Sequence, residues 1–190
     1  MPELNNEKKA LLHICCGVCA SYAIEALSSK GYSVTGYFYN PNIYPYKEYL
    51  LREQETKKIA KFYKIKLLNS NCDFTRWEKN CAMFKDEKEG GARCNACFKL
   101  RLKETYKKTK NDNFNYFTTT LTISSHKNSQ RIFKIGKEIG DNRFLAIDFK
   151  KKDGFKKAVE ISKKLNLYRQ NYCGCIYSLR DREKRVEDKK

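Results

Sequence analysis

Residues 10–19 read ALLHICCGVC, and this stretch decides the fold. Ala10 to Cys15 is a short apolar run that stops abruptly at Cys16-Gly17. An apolar run of that length, closed by a breaker, reads as a buried strand. Similar runs follow. Tyr32 to Tyr39 (YSVTGYFY) is rich in β-branched and aromatic residues and ends at the turn signal Asn40-Pro41-Asn42. Ile65 to Leu68, Asn115 to Leu121 (NYFTTTL) and Arg143 to Ile147 (RFLAI) supply a third, fourth and fifth strand. Between them lie helical patterns at Ser21–Leu27, Lys47–Tyr63, Cys97–Tyr106, Ser129–Ile139 and Phe155–Leu165. Alternation of this kind predicts an α/β protein with a parallel five-stranded Rossmann-like sheet covered on both faces.

The 190 residues suit one domain, 1–190. Within it the sequence predicts a polar, frayed start over 1–9 and a helical insertion at about 70–110. That insertion carries the single Trp, Trp77, and Gly90-Gly91 opens a loop leading to Cys94. The stretch Tyr168–Ser178 reads as a loop, and about 179–190 as a solvated, mixed-charge tail.

Open parallel sheets bind ligands beyond the carboxyl ends of their strands, where the strand order reverses. Cys15-Cys16, Asn40-Pro41-Asn42 and Thr118–Thr120 all fall at predicted strand ends on that side. Nine cysteines are present, and seven fall into three clusters: Cys15, Cys16 and Cys19; Cys94 and Cys97; Cys173 and Cys175. An odd count in a chain without a signal-peptide layout argues against a disulfide framework. Spacings of C-x-x-C and C-x-C let one metal reach both thiolates. Seven thiols exceed the four ligands of one zinc ion and suffice for a four-iron cluster plus a second metal. A structural zinc site with spare thiols, or a dithiol redox enzyme, stays open on this count. Cys72 and Cys81 stand alone and read as small buried hydrophobes.

The chain carries 40 Lys and Arg against 22 Asp and Glu, a net charge of +18. Such an excess attracts polyanions through counterion release, nucleic acid foremost. A plain bias toward lysine is the alternative, with 30 Lys against 10 Arg. No apolar run approaches the ~20 residues of a membrane span, so a cytoplasmic protein without membrane contact is expected. There is no G-x-x-x-x-G-K-[ST] loop and no G-x-G-x-x-G, so a nucleotide cofactor has no support. His13 reads as a hydrogen-bonded core residue and His126 as a surface-loop residue.

Five ordered blocks resemble the QueH family of epoxyqueuosine reductases. They are Leu12 to Cys19; Tyr39 to Pro45 with Tyr46, Glu48, Tyr49 and Arg52; Arg93 to Cys97 with Arg101-Leu102; Phe117 to Leu121 with Ser125, Lys127 and Asn128; and Asp148-Phe149 with Tyr168 to Ser178. The resemblance covers about residues 10–178. It implies the adenine-nucleotide alpha-hydrolase type of sheet, and reduction of epoxyqueuosine in tRNA to queuosine. It implies a 4Fe–4S cluster next to a mononuclear iron, held by Cys15, Cys16, Cys19, Cys94, Cys97, Cys173 and Cys175. The partners implied are tRNA carrying epoxyqueuosine and an external electron donor of ferredoxin or flavodoxin type.

For the chemistry, Cys94 and Cys97 are expected to hold the cluster and one of the adjacent pair Cys15/Cys16 to face the iron; Cys16 is the catalytic candidate, and Tyr172, Tyr46 and Asp148 are candidate proton donors. Asn40, Asn42, Tyr46, Thr119, Thr120 and Gln170 are candidate contacts to the modified base, and Arg52, Lys127 and Arg169 to phosphate. Two competing readings are a thiolate-zinc nucleic-acid-binding module without catalysis and an iron–sulfur tRNA thiolation enzyme. The second wants a Ser/Gly-rich pyrophosphate loop after strand one, where this chain has CCGVCAS.

Overall fold

Apolar strands buried on both faces pair in parallel, and that is the arrangement found. A computed structural model describes residues 7–70 and 73–188. β1 (Lys8–His13), β2 (Tyr32–Phe38), β3 (Leu67–Asn69) and β4 (Tyr116–Thr119) form one sheet of order β3-β2-β1-β4. All three pairings are parallel, and Leu12 lies opposite Gly36 on one side and Thr118 on the other. The order reverses at β1, so β1 and β4 flank the switch point.

Successive side chains of β1 go to opposite faces. Leu12 packs with Ile24, Leu27, Phe38 and Ala158. Leu11 packs with Phe98, Leu102, Phe117 and Ile132. The helices α1 (Gly17–Ser28), α2 (Tyr46–Phe62) and α6 (Gly154–Lys164) therefore lie on one side of the sheet. Helices α4 (Ala92–Asn111) and α5 (Ser129–Gly140) lie on the other. A smaller cluster of Trp77, Cys81, Cys97, Leu100 and Cys175 ties α3 (Phe74–Cys81) to α4 and to the start of α7 (Ile176–Glu187).

The sheet has four strands instead of five. Residues 143–147 run beside β4 but contribute only the bridge Phe117–Phe144. Leu145 N donates to Phe117 O at 2.9 Å, yet the carbonyls of Leu145 and Ile147 are taken by the hydroxyls of Thr118 and Thr122. Side chains thus satisfy the groups that a ladder would have used. The stretch expected as a solvated tail, about 179–190, is helical where described: Ile176–Glu187 is helix α7, with Cys175 as its N-cap. Of the frayed start expected over 1–9, residues 1–6 lie outside the described residues, and β1 begins at Lys8. Helix α1 begins at Gly17, four residues before the sequence suggests, because Cys16 caps it. A Cβ at Gly17 would stand 2.7 Å from Glu55 O, so the approach of α1 to α2 requires glycine. No described helix is long and apolar enough to cross a membrane.

Candidate metal centre

Helix N-termini carry partial positive charge and favour thiolates. Three of them carry site thiols. Cys16 caps α1, and its Sγ accepts from Cys19 N at 3.4 Å. Cys94 lies in the first turn of α4, with Cys97 one turn on, and Gly90 N donates to Cys94 Sγ at 3.2 Å. Cys175 caps α7, and its Sγ accepts from Ser178 N at 3.4 Å.

The sulfurs of Cys15, Cys16 and Cys19 lie within 4.8 Å of one another, a set that could hold a metal ion. Thr120 Oγ1 donates to Cys15 Sγ at 3.2 Å, and Gln170 Nε2 to Cys16 Sγ at 3.0 Å. Hydrogen bonds from Cys16 and Cys19 hold the Cys15 thiol well below its usual range, with Arg101 and Lys127 adding to the effect. The same sharing, with burial, pushes Cys16 up to about 12 and raises Cys19. Without metal, negative charge in the triad is therefore favoured at Cys15 over Cys16 and Cys19. A bound cation would displace the remaining protons.

Cys94, Cys97, Cys173 and Cys175 form a second group: Cys97 and Cys175 share a buried cluster. Burial raises Cys94, Cys97 and Cys175, Cys94 to about 11, and the neighbouring thiols Cys173 and Cys97 add to it. Two cations act on both groups. Arg101, fully buried one turn beyond Cys97, acts on both Cys97 and Cys15. Burial opposes the charge on Lys127, but Cys173, Cys15 and Cys19 outweigh it and raise its pKa. Beside the triad lies a cavity of about 370 Å³ bordered by Cys15, Cys19 and Cys173. Val18, Phe155 and Val159 give it an apolar side, and Lys127, Arg169 and Gln170 a polar one. His126 reaches its rim.

The other expected contacts separate into two groups. Lys127, Arg169, Gln170 and Tyr172 border the cavity. Asn40, Thr119, Thr120 and Arg52 are buried and committed to the protein itself. Asn40 donates to Ile14 O at 2.8 Å and accepts from Arg101 Nη2. Thr119 Oγ1 bonds His13 Nδ1 at 2.7 Å, and Thr120 Oγ1 accepts from Cys15 N at 3.0 Å. Arg52 also borders the cavity. Its guanidinium bonds Glu48 Oε1 at 2.7 Å, Cys173 O at 3.0 Å and Tyr172 O at 3.2 Å, so it clamps the C-x-C loop to α2. Asn42 is buried with its Oδ1 unpartnered, and Tyr46 is exposed, stacked on Tyr49. Tyr172 donates to Tyr44 O, and burial raises its hydroxyl to about 12. Asp148 pairs with Lys150 Nζ at 3.7 Å and does not border the cavity.

Sequence reasoning missed three neighbours of the thiols. Trp77 is buried against Cys97 and Cys175. Cys81 sits in the same cluster, its thiol pushed up to about 12 by burial and by Cys97, Cys175 and Cys94. Arg101 follows Cys97 at helical i,i+4 spacing, a signal that was readable. Cys72 lies outside the described residues.

The profile of the family "Epoxyqueuosine reductase QueH" matches residues 10–181. This chain belongs to the QueH family. A relative from Histophilus somni, named epoxyqueuosine reductase QueH, is 36% identical over 95% of this chain and 76% of its own length. QueH from Haemophilus influenzae is 36% identical over 99% and 78%, and QueH from Thermotoga maritima 33% over 93% and 94%. Among solved structures, NMN synthetase from Francisella tularensis superposes with a TM-score of 0.54 at 14% identity, covering 89% of this chain and 68% of that one. A predicted subunit of a tRNA methyltransferase from Methanocaldococcus jannaschii gives 0.53 at 16% identity, covering 80% and 74%. These two likenesses concern the fold alone. All seven clustered cysteines lie inside the QueH match.

Proposed function

We propose that this QueH-family chain reduces epoxyqueuosine in tRNA to queuosine, and that its seven clustered thiols hold a 4Fe–4S cluster and one iron ion. The family carries the reaction. The observation supporting the metal reading is the Cys15, Cys16 and Cys19 triad at the carboxyl end of β1, beside a cavity that Cys15, Cys19 and Cys173 border. The donor set fits. Thiolates suit iron–sulfur chemistry and are poor ligands for magnesium or calcium. The compact triad of Cys15, Cys16 and Cys19 suits a single ion. Cys94, Cys97, Cys173 and Cys175 supply the four thiolates that a cubane cluster takes.

The reaction consumes two electrons and two protons. Both epoxide C–O bonds break, a C=C bond forms, and the oxygen leaves as water. When bound, the iron would polarise the epoxide oxygen and the cluster would relay electrons singly. The protein's own groups do the rest. The cavity volume is in the range of small-molecule sites, so it admits one modified base and not a duplex. The base has to leave its stack to enter. Val18, Phe155 and Val159 exclude water from one side of it. Gln170, whose Oε1 is buried and unpartnered, offers an acceptor for a ring hydroxyl. Lys127 balances thiolate charge at the cavity wall. A low-potential redox protein of ferredoxin or flavodoxin type supplies the electrons.

The test is turnover. Protein reconstituted without oxygen is mixed with epoxyqueuosine-containing tRNA and dithionite, and the nucleosides are analysed by mass spectrometry. Conversion to queuosine by the wild type and none by Cys16→Ala is expected. Wild-type protein carrying its metals that leaves epoxyqueuosine untouched overturns the assignment.

A further inference from the structure

A second groove adjoins the thiol cavity, and the reaction itself does not use it. It has a volume of about 740 Å³ and runs between helix α7 and the loop 85–89. Tyr177, Arg180, Asp181, Lys184 and Arg185 line one wall at i, i+3, i+4, i+7 and i+8, a single helical face. Lys85 and Lys88 stand on the other wall. Arg93 fixes that wall: it is buried, and its Nη1 donates to the carbonyls of Lys85 and Glu87. The positive excess sits on the α7 wall, where Arg180, Lys184 and Arg185 outnumber Asp181; on the loop wall Asp86, Glu87 and Glu89 offset Lys85 and Lys88. The groove and the cavity share Glu89 and Arg185, so they form one continuous depression.

We infer that this groove is the track for the RNA backbone flanking the modified base. The inference rests on the proposed tRNA reaction and adds where the strand runs. A base splayed into a closed cavity leaves its neighbouring phosphates outside the mouth. Those phosphates need cations on the surface continuous with that mouth, and Arg180, Lys184 and Lys88 stand there. Tyr177, half-buried on the groove floor, carries the guanidiniums of Arg93 and Arg180 on its ring at 4.5 Å and 6.0 Å to the ring centre. Such a platform receives stacked bases of any sequence.

Each phosphate contact contributes about 0.7–0.9 to the slope of log affinity against log salt. The test compares two triple variants of the metal-loaded protein. One is Lys88→Ala with Arg180→Ala and Lys184→Ala. The other, Lys30→Ala with Lys61→Ala and Lys66→Ala, makes the same charge change at the opposite end of the sheet, beside the starts of β2 and β3. The groove variant is expected to bind epoxyqueuosine tRNA at least ten-fold more weakly at 150 mM salt, with a slope shallower by about 2. Its iron content and circular dichroism should match wild type, and the control should keep the wild-type slope. Equal losses in both variants would overturn the track and leave only diffuse charge attraction. So would normal tRNA binding by the groove variant with turnover lost only when a redox protein replaces dithionite, which would make the groove a donor dock. Wild-type protein that neither binds nor reduces this tRNA defeats the proposed function instead, and is thereby distinguishable.

Discussion

Arg52 shows how much of a residue's setting lies outside its local sequence. Its place beside Glu48 at i,i+4 is local, but its partners Tyr172 and Cys173 lie 120 and 121 residues away. No local pattern carries that information. Arg52→Lys keeps the charge and loses the fork that grips two carbonyls. Chemical denaturation should show it less stable by about 1–3 kcal/mol, with lower iron retention. His13 was legible as a core residue for the opposite reason, since an apolar strand surrounds it. Burial, with Arg101 nearby, lowers its pKa from 6.5 to about 3. The sign follows directly: between those values the unfolded chain binds a proton that the folded chain refuses, so His13 lowers stability as pH falls from 6.5 toward 3. Its ring carbon shifts in NMR should stay constant from pH 8 to pH 5. A titration in that range would contradict the buried arrangement. The thiols are the residues whose grouping the sequence displayed best, because C-x-x-C and C-x-C spacings are local. If the proposed division between the metals holds, Cys19→Ala should lose about one iron and keep the visible absorption of the cluster, whereas Cys97→Ser should lose that absorption.

At the scale of elements, the sequence displayed β1, β2 and β4 and five helices within a few residues. It failed where backbone groups find partners other than a ladder or a usual cap. The fifth strand reads as RFLAI, yet threonine hydroxyls from β4 and the turn after it take its carbonyls. Helix α7 carries mixed charge without an apolar stripe and so reads as solvent-exposed tail. Its anchor is Cys175, a thiol acting as an N-cap, which standard capping preferences do not anticipate. Gly174 sets the geometry of that anchor. Its φ of 120° suits glycine, and a Cβ there would meet Arg52 Nη1 at 2.8 Å. Gly174→Ala should therefore cost about 1–3 kcal/mol and displace both flanking thiols. Denaturant melts with iron analysis of the same samples check this; unchanged stability and full iron content would remove the clamp from the account.

The whole molecule places chemistry where parallel sheets place it, beyond the carboxyl ends at the reversal of strand order. That placement was legible as soon as the strands were. The meeting of Cys97 with Cys175 in one buried cluster was not, because α4 and α7 come together across a long separation in sequence. Charge was legible in total and not in distribution: +18 says that a polyanion is attracted and not where it lies. Metal and sulfide analysis with an absorption spectrum, on protein purified without oxygen, tests the central claim most directly. Brown protein with about five irons and about four sulfides per chain is the expected result. Colourless protein with one zinc and no sulfide would contradict it.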